Sequence, residues 1–167
     1  MSSQRVLVYG AGGHTGQAIV TRAKQRGLDI VVAGRPSVAL AQLAQAASCE
    51  MRTAPVDDAQ ALSGILQDIG VVIQTLGVDF SPRLIFEGTR LFSESTRILV
   101  DAMKAAGVKR LITVTGLGAG DSRGHGGLLY DAVVFPLLLK RVYDDKDVQE
   151  WIVRSSRLDW TLCGQAF

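Results

Sequence analysis

Short apolar runs alternate along this chain with segments of helical periodicity, and that alternation restricts its folding more than any other feature. Val6 to Tyr9 (VLVY), Leu28 to Ala33 (LDIVVA) and Val71 to Leu76 (VVIQTL) are nearly continuous in apolar residues, the pattern of strands covered on both faces. Cys49 to Val56, Arg110 to Val114 (RLITV) and Leu158 to Leu162 (LDWTL) supply further strands. Between them lie a helix carrying Ala18, Ile19 and Ala23, an alanine- and leucine-rich helix to about Ala47, and a third from Ala59 to Ile69. A fourth runs from Thr89 to Ala106 and stops at Gly107, and residues 128–156 read as helical with an interruption near Pro136. Strands alternating with helices and followed by glycine turns predict the α/β class: a doubly wound parallel sheet of order 3-2-1-4-5-6. A length of 167 residues suits one domain, spanning 1–167, and is short for two. In such a sheet a ligand sits beyond the carboxyl ends of the strands where the order reverses, which selects the loops after Tyr9, Ala33, Leu76 and Val114.

The first of these loops lies within residues 8–19, VYGAGGHTGQAI. Gly10, Gly13 and Gly16 form G-x-x-G-x-x-G, whereas the G-x-G-x-x-G register fails because its last position is Thr15. A helix N-terminus offers unpaired N–H groups and partial positive charge, and so suits the pyrophosphate of a dinucleotide. Gly10 is expected to make the sharp exit from the strand, Gly13 to let the anion approach, and Gly16 to let the first helix pack on the first strand. Gly12, His14 and Thr15 belong to the same candidate site, with His14 covering the pyrophosphate. The bland alternative is a glycine turn that binds nothing.

The second loop reads Gly34-Arg35-Pro36-Ser37 and has no carboxylate to hold a ribose 2′-hydroxyl. Arg35 offers a planar fork to a 2′-phosphate and Ser37 a further donor, which favours NADP(H) over NAD(H). The alternative for Arg35 is a solvated surface arginine. Asp57 either accepts from the adenine amino group or caps the helix at Ala59, a role Asp58 suits equally. Thr75, Leu76 and Gly77 end the fourth strand beside the expected adenosine ribose, although Thr75 also reads simply as a strand residue.

Composition removes other classes of function. Hydrophobic residues make up 47% and charged residues 20%, no apolar stretch reaches membrane-spanning length, and Met1-Ser2-Ser3-Gln4-Arg5 leads straight into the first strand, so a cytoplasmic protein with no membrane contact is expected. Cys49 and Cys163 stand far apart without metal-ligand or C-x-x-C spacing, and no metal is expected. A net charge of +2, with dispersed cations and no basic-aromatic strip, gives no nucleic-acid surface. Phe92, Val133, Val134, Phe135, Leu137, Leu138, Leu139 and Trp151 exceed what one face of a sheet needs. Either the helices over 89–106 and 128–151 pair in a homodimer, or the run VVFPLLL is core within one subunit.

GAGGHTGQAI, the Gly34-Arg35 turn, Val56-Asp57, VVIQTLG, LVDAMKAAGVKRLITVTGLGAG and DDKDVQEWIVRSSRLDWTL together resemble the atypical short-chain dehydrogenase/reductases. More narrowly, the chain is similar to the NAD(P)H-binding, NmrA-like group that includes flavin reductase and biliverdin reductase B-like proteins, over essentially all its length. The resemblance implies a Rossmann domain, a nicotinamide cofactor, and either a reductase or a redox-sensing protein that binds the cofactor without turnover. It also implies a Tyr-x-x-x-Lys pair, from which this chain departs: Tyr130 is followed by Val134 at that step and Tyr143 by Asp147, while Lys146 stands three residues after Tyr143. Thr115 holds the usual Ser/Thr place. Thr115, Tyr143 and Lys146 are therefore the catalytic candidates, and Lys146 either holds a ribose hydroxyl or is an exposed helix lysine beside Asp144 and Asp145.

A conjugated small-molecule acceptor such as a flavin or quinone tolerates the lack of a general acid, because it delocalises incoming charge and solvent supplies the proton. Gly116 to Gly127 (GLGAGDSRGHGG) is either a mobile substrate lid, with Arg123 and His125 facing an anion, or a surface loop. The resemblance further implies a segment beyond strand six, entered through an Arg-Pro-Gly-like turn and roofing the substrate pocket. Gly164 and Gln165 stand in the usual Arg and Pro positions, and Phe167 ends the sequence. The C-terminal substrate segment is expected to be short or missing, whether the chain is a truncated product or a minimal form whose pocket is open or completed by another subunit. The first functional reading is an NADP(H)-dependent oxidoreductase. Its rivals are a non-catalytic NADP(H)-binding sensor or regulator and a degenerate structural relative.

Overall fold

The computed structural model describes residues 5–77, 89–116 and 140–165. Its elements are β1 (Val6–Tyr9), α1 (His14–Gln25), β2 (Ile30–Gly34), α2 (Val38–Ala47), β3 (Glu50–Thr53), α3 (Ala59–Ile65), β4 (Val71–Gln74), α4 (Leu91–Ala106), β5 (Arg110–Gly116), α5 (Lys140–Ser155) and β6 (Asp159–Gln165). The strands form one six-stranded parallel sheet in the expected order β3-β2-β1-β4-β5-β6.

Successive side chains of a strand point to opposite faces, and both faces here are covered. Val6, Val8, Ile30 and Val32 pack with Val20 and Ala23 of α1 and Leu40 and Ala44 of α2. Leu7, Tyr9, Val31, Val72 and Leu111 pack on the other side with Leu62 of α3, Leu99 and Met103 of α4, and Ile152 and Val153 of α5. Each such aliphatic side chain contributes roughly 1.5–3 kcal/mol on full burial. This accounts for apolar residues at every position of β1 and almost every position of β2.

Several boundaries differ from the sequence expectation. β3 ends at Thr53, not Val56: the Ala54 N–H makes a last bond to the Gly34 carbonyl at 3.1 Å, and Pro55 then has no N–H to continue the ladder. α3 stops at Ile65 rather than Ile69, and Asp68 then turns with φ 59°. The fifth and sixth strands run beyond Val114 and Leu162, because Thr115 pairs with Gly164 and Gly116 with Gln165. Gly164 and Gln165 thus belong to the sheet. Residues 128–139, including Pro136 and the VVFPLLL run, lie outside the described residues, as do the rest of the glycine-rich stretch after Gly116 and Phe167.

The N-terminal ends of the first three strands are joined by charge. Arg5 donates to Asp29 at 3.0 Å, to Glu50 at 2.6 Å and to Asp68, while Arg52 donates to Glu50 at 2.7 Å, to Asp68 at 2.9 Å and to the carbonyls of Ile65 and Gln67. The Arg52 and Arg5 guanidiniums hold the Glu50 and Asp68 carboxyls below the usual carboxylate range. A depressed carboxyl stabilises the fold above its unfolded pKa and loses that contribution as pH falls through its folded value. The stability difference between wild type and Arg52→Gln should therefore be largest at neutral pH and shrink as pH drops below about 4. A smaller remainder persists from the two lost carbonyl contacts, and urea unfolding across pH measures both parts.

Candidate functional site

β1 lies at the centre of the sheet, where the strand order reverses, and the loop that leaves it is shaped by two of its glycines. Gly10 has φ +90°, and a Cβ there would stand 2.9 Å from the backbone carbon and oxygen of Thr75. A Cβ at Gly16 would stand 2.6 Å from Ala11 Cα and from the Gly10 carbonyl oxygen. Gly16 therefore closes the loop on itself, where close packing on the first strand was expected. Gly12 and Gly13 are different. Gly13 has an ordinary extended conformation (φ −79°, ψ 164°), and a Cβ on it would meet nothing nearer than the Gly10 oxygen at 3.6 Å. Nothing among the described residues requires glycine at that position.

α1 starts immediately above this opening. Its first internal bond runs from the Gln17 N–H to the Gly13 carbonyl at 2.9 Å, no side chain among the described residues caps it, and its first turn contains no carboxylate. The Gln17 amide donates to the Gly12 carbonyl at 2.8 Å and steadies the loop. His14 is exposed and Thr15 half-buried on this first turn. The residues present thus fit an anionic group: a helix N-terminus left uncapped by the described side chains, approached through a space a side chain would fill.

The second and third loops rise beside it. Arg35 is exposed directly after Gly34. Ser37 has a structural role the sequence reading lacked: its hydroxyl caps α2, accepting from the Leu40 N–H at 3.2 Å, with the hydroxyl hydrogen still available to donate. Of the two neighbouring aspartates, Asp58 caps α3 by accepting from the Ala61 N–H at 2.9 Å, and Asp57 remains exposed in the turn before it. Thr75 is buried, its N–H and hydroxyl both donating to the Tyr9 carbonyl at 2.8 and 3.1 Å, so its side chain holds β4 to β1. Leu76 is half-buried and Gly77 exposed, with open space where its Cβ would be.

Thr115, the residue before the last of β5, is only 4% exposed, and its hydroxyl has no hydrogen-bond partner among the described residues. Below it is a buried network that sequence reasoning missed. The Thr96 hydroxyl accepts from the side-chain amides of Gln74 at 2.9 Å and Gln149 at 3.0 Å, and Thr113 donates to Gln74 at 3.4 Å. Asp145, also missed, reaches from α5 to cap α4, accepting from the Phe92 N–H at 2.9 Å and from the Ser93 hydroxyl. Lys146 is half-buried, not exposed, with its ammonium 4.8 Å from the centre of the Phe92 ring. Burial lowers its pKa, and Glu150 opposes that shift. The Tyr143 side chain lies outside the described residues. Among the described residues no group of His, Cys, Asp and Glu is arranged to hold a metal, and no helix is long and apolar enough to cross a membrane.

Comparisons with known proteins agree with this fold. The model of a family described as NAD(P)H-binding matches residues 10–164. An anaerobilin reductase from Escherichia coli O157:H7 is 24% identical with a TM-score of 0.74, over 95% of this chain and 71% of that one. A wide-type short-chain dehydrogenase/reductase from Veillonella parvula, solved with NADP, is 16% identical with a TM-score of 0.72, over 95% and 67%. A UDP-N-acetylglucosamine 4-epimerase from Bacillus cereus is 17% identical with a TM-score of 0.69, over 96% and 52%. At these identities the three likenesses speak for the fold.

The two kinds of glycine should separate on substitution. Gly16→Ala should cost about 1–3 kcal/mol of stability, since its Cβ meets backbone that cannot give way. Gly13→Ser should hold or raise stability, serine being the better helix cap, while weakening nicotinamide dinucleotide binding at least about tenfold by filling the anion's space. Thermal unfolding beside a fluorescence titration reads both effects.

Proposed function

The chain belongs to the NAD(P)H-binding family, and on that premise we propose that it is an NADP(H)-dependent oxidoreductase transferring a hydride to a flavin, quinone or similar conjugated small-molecule acceptor. The observation that carries the proposal is the opening at Gly13 beneath an α1 that no described side chain caps, an opening that fits a pyrophosphate and that none of the described residues requires. In this reading Gly12, Gly13, His14 and Thr15 line the pyrophosphate, with Gly10 and Gly16 shaping the loop. Arg35 and Ser37 take the 2′-phosphate, Asp57 the adenine amino group, and Thr75, Leu76 and Gly77 flank the adenosine ribose.

The cofactor supplies a hydride donor when bound. The protein then has to orient the two reacting rings and exclude water from between them. Thr115 suits the reacting end, because its buried hydroxyl, near the carboxyl end of β5, lacks a partner among the described residues and can bond a substrate oxygen. Lys146, whose ammonium burial makes easier to deprotonate, and Tyr143 on the same helix are the other groups assigned to this end. The reductase from Escherichia coli is named for anaerobilin, and the relative from Veillonella parvula holds NADP. Both likenesses favour a reductive reading with a phosphorylated cofactor.

A non-catalytic NADP(H)-binding sensor or regulator is the second reading, favoured by the missing lysine four residues after Tyr130 or Tyr143. Loss of NADPH absorbance on adding a flavin or quinone separates the two. The proposal also takes the protein to be cytoplasmic and a homodimer paired through α4 and α5, where Trp151 is 66% exposed beside Arg97, Val100 and Lys104. Sedimentation at micromolar concentration tests the pairing.

Wild type should bind NADPH more tightly than NADH. Arg35→Asp should weaken NADPH by about tenfold or more, the worth of a charge-assisted bond to phosphate, and spare NADH. Equal loss of both cofactors, or loss of neither, would remove Arg35 as the phosphate reader.

A further inference from the structure

The last residue of β1 is a tyrosine whose ring is wholly buried and whose polar atom serves a distant backbone group. Tyr9 is 0% exposed, faces the α3 side of the sheet, and donates from its hydroxyl to the Ala54 carbonyl at 3.1 Å, across 45 positions of sequence. Ala54 is equally buried, and its N–H is held by the Gly34 carbonyl. This residue is thus fixed through its carbonyl from β1 and through its N–H from β2.

The turn carrying Asp57 begins there. Pro55 has its φ set by its ring. The Asp58 N–H points back to the Pro55 carbonyl at 3.4 Å, and the Asp58 side chain is committed to the cap of α3. Val56 and Asp57 hang between two anchored points, and the upstream anchor depends on the Tyr9 hydroxyl. Packing alone needs only the ring, so phenylalanine would serve β1 as well. Burial pushes the phenol above its ordinary value, Asp57 adds to that rise and Arg35 opposes it. The hydroxyl therefore remains a donor at neutral pH, and side chains of both adenosine-side loops lie within electrostatic reach of it.

We propose that Tyr9 is a positioning residue for base recognition: its hydroxyl, by holding the Ala54 carbonyl, fixes the 54–58 turn so that the Asp57 carboxylate accepts from the exocyclic amino group of adenine. The inference rests on the cofactor reading above and extends it to a residue that touches no part of the ligand.

The test compares the affinities of NADPH and its hypoxanthine analogue, in which an oxygen replaces the amino group and faces the carboxylate with a lone pair instead of a donor. Wild type should prefer adenine by about tenfold, the scale of one hydrogen bond to a charged group. In Tyr9→Phe the preference should fall to near one, with affinity for the hypoxanthine analogue little changed, and Asp57→Asn should do the same. A purely structural loss would weaken both ligands by one common factor and leave their ratio intact. A folded Tyr9→Phe protein that keeps the tenfold ratio overturns the proposal.

Should Tyr9→Phe fail to fold, Pro55→Gly loosens the same exposed turn without touching the core. Collapse of the ratio in that variant supports the proposal and its retention overturns it. A wild type that binds NADPH but treats the two bases alike overturns the role of Tyr9 and leaves the cofactor reading standing. Absence of NADPH binding in wild type overturns both.

Discussion

The approach of the β1 loop to the end of β4 determines what can stand above the sheet. The connections leaving β1 and β4 part to opposite faces there because the order reverses, yet the Thr75 N–H and hydroxyl both bond the Tyr9 carbonyl, and Gly10 lies against the Thr75 peptide closer than any side chain would permit. On the other side the Ala33 carbonyl accepts from both Gly10 and Ala11. The loop is tied to both neighbouring strands before α1 begins, which fixes where the helix N-terminus points. An anion site built from backbone donors is only as well placed as that backbone.

The helix starts around this end are satisfied in contrasting ways. Ser37 and Asp58 cap their own helices, whereas α4 takes its acceptor from Asp145, 53 positions away on α5. α1 receives none. A buried carboxylate linking α4 to α5, with the Gln74–Thr96–Gln149 network beneath it, makes the junction of these helices with β4 and β5 directional. Polar bonds of this kind fix one packing arrangement where apolar contacts alone would tolerate several. Thr115 is set at the rim of that junction.

The parallel order was legible because VLVY, LDIVVA and VVIQTL are apolar almost throughout and the glycine turn follows the first of them. The edge strand was harder: EMRT is mostly exposed, and only its spacing from the second helix pointed to it, so its end was carried past Pro55. Local chemistry narrowed Asp57 and Asp58 to two roles without assigning them, since either carboxylate can reach the helix start and only coordinates decide. Asp145 and the Tyr9 hydroxyl gave no signal, because their partners are 45 or more positions distant and an aspartate on a helix or a tyrosine in a strand reads as ordinary. Distinguishing the glycines needed geometry as well. Gly10, Gly13 and Gly16 fit the same motif, and only the space around each separates those that the described residues require from the one that they do not.

The ion pairs at the strand starts also make the two rims of the sheet unlike. β3 is an edge strand of four residues whose Glu50 and Arg52 are engaged with Arg5 and Asp68, and Pro55 follows two residues after it. A foreign strand pairing there would have to displace those charges and would then meet a residue with no N–H, two devices that natural sheets use against edge-to-edge aggregation. β6 at the opposite rim is seven residues long, with Trp160 partly exposed and Asp159 its one carboxylate. Among the described residues the two rims are thus unequal: further strand pairing is discouraged beside β3 and less opposed beside β6.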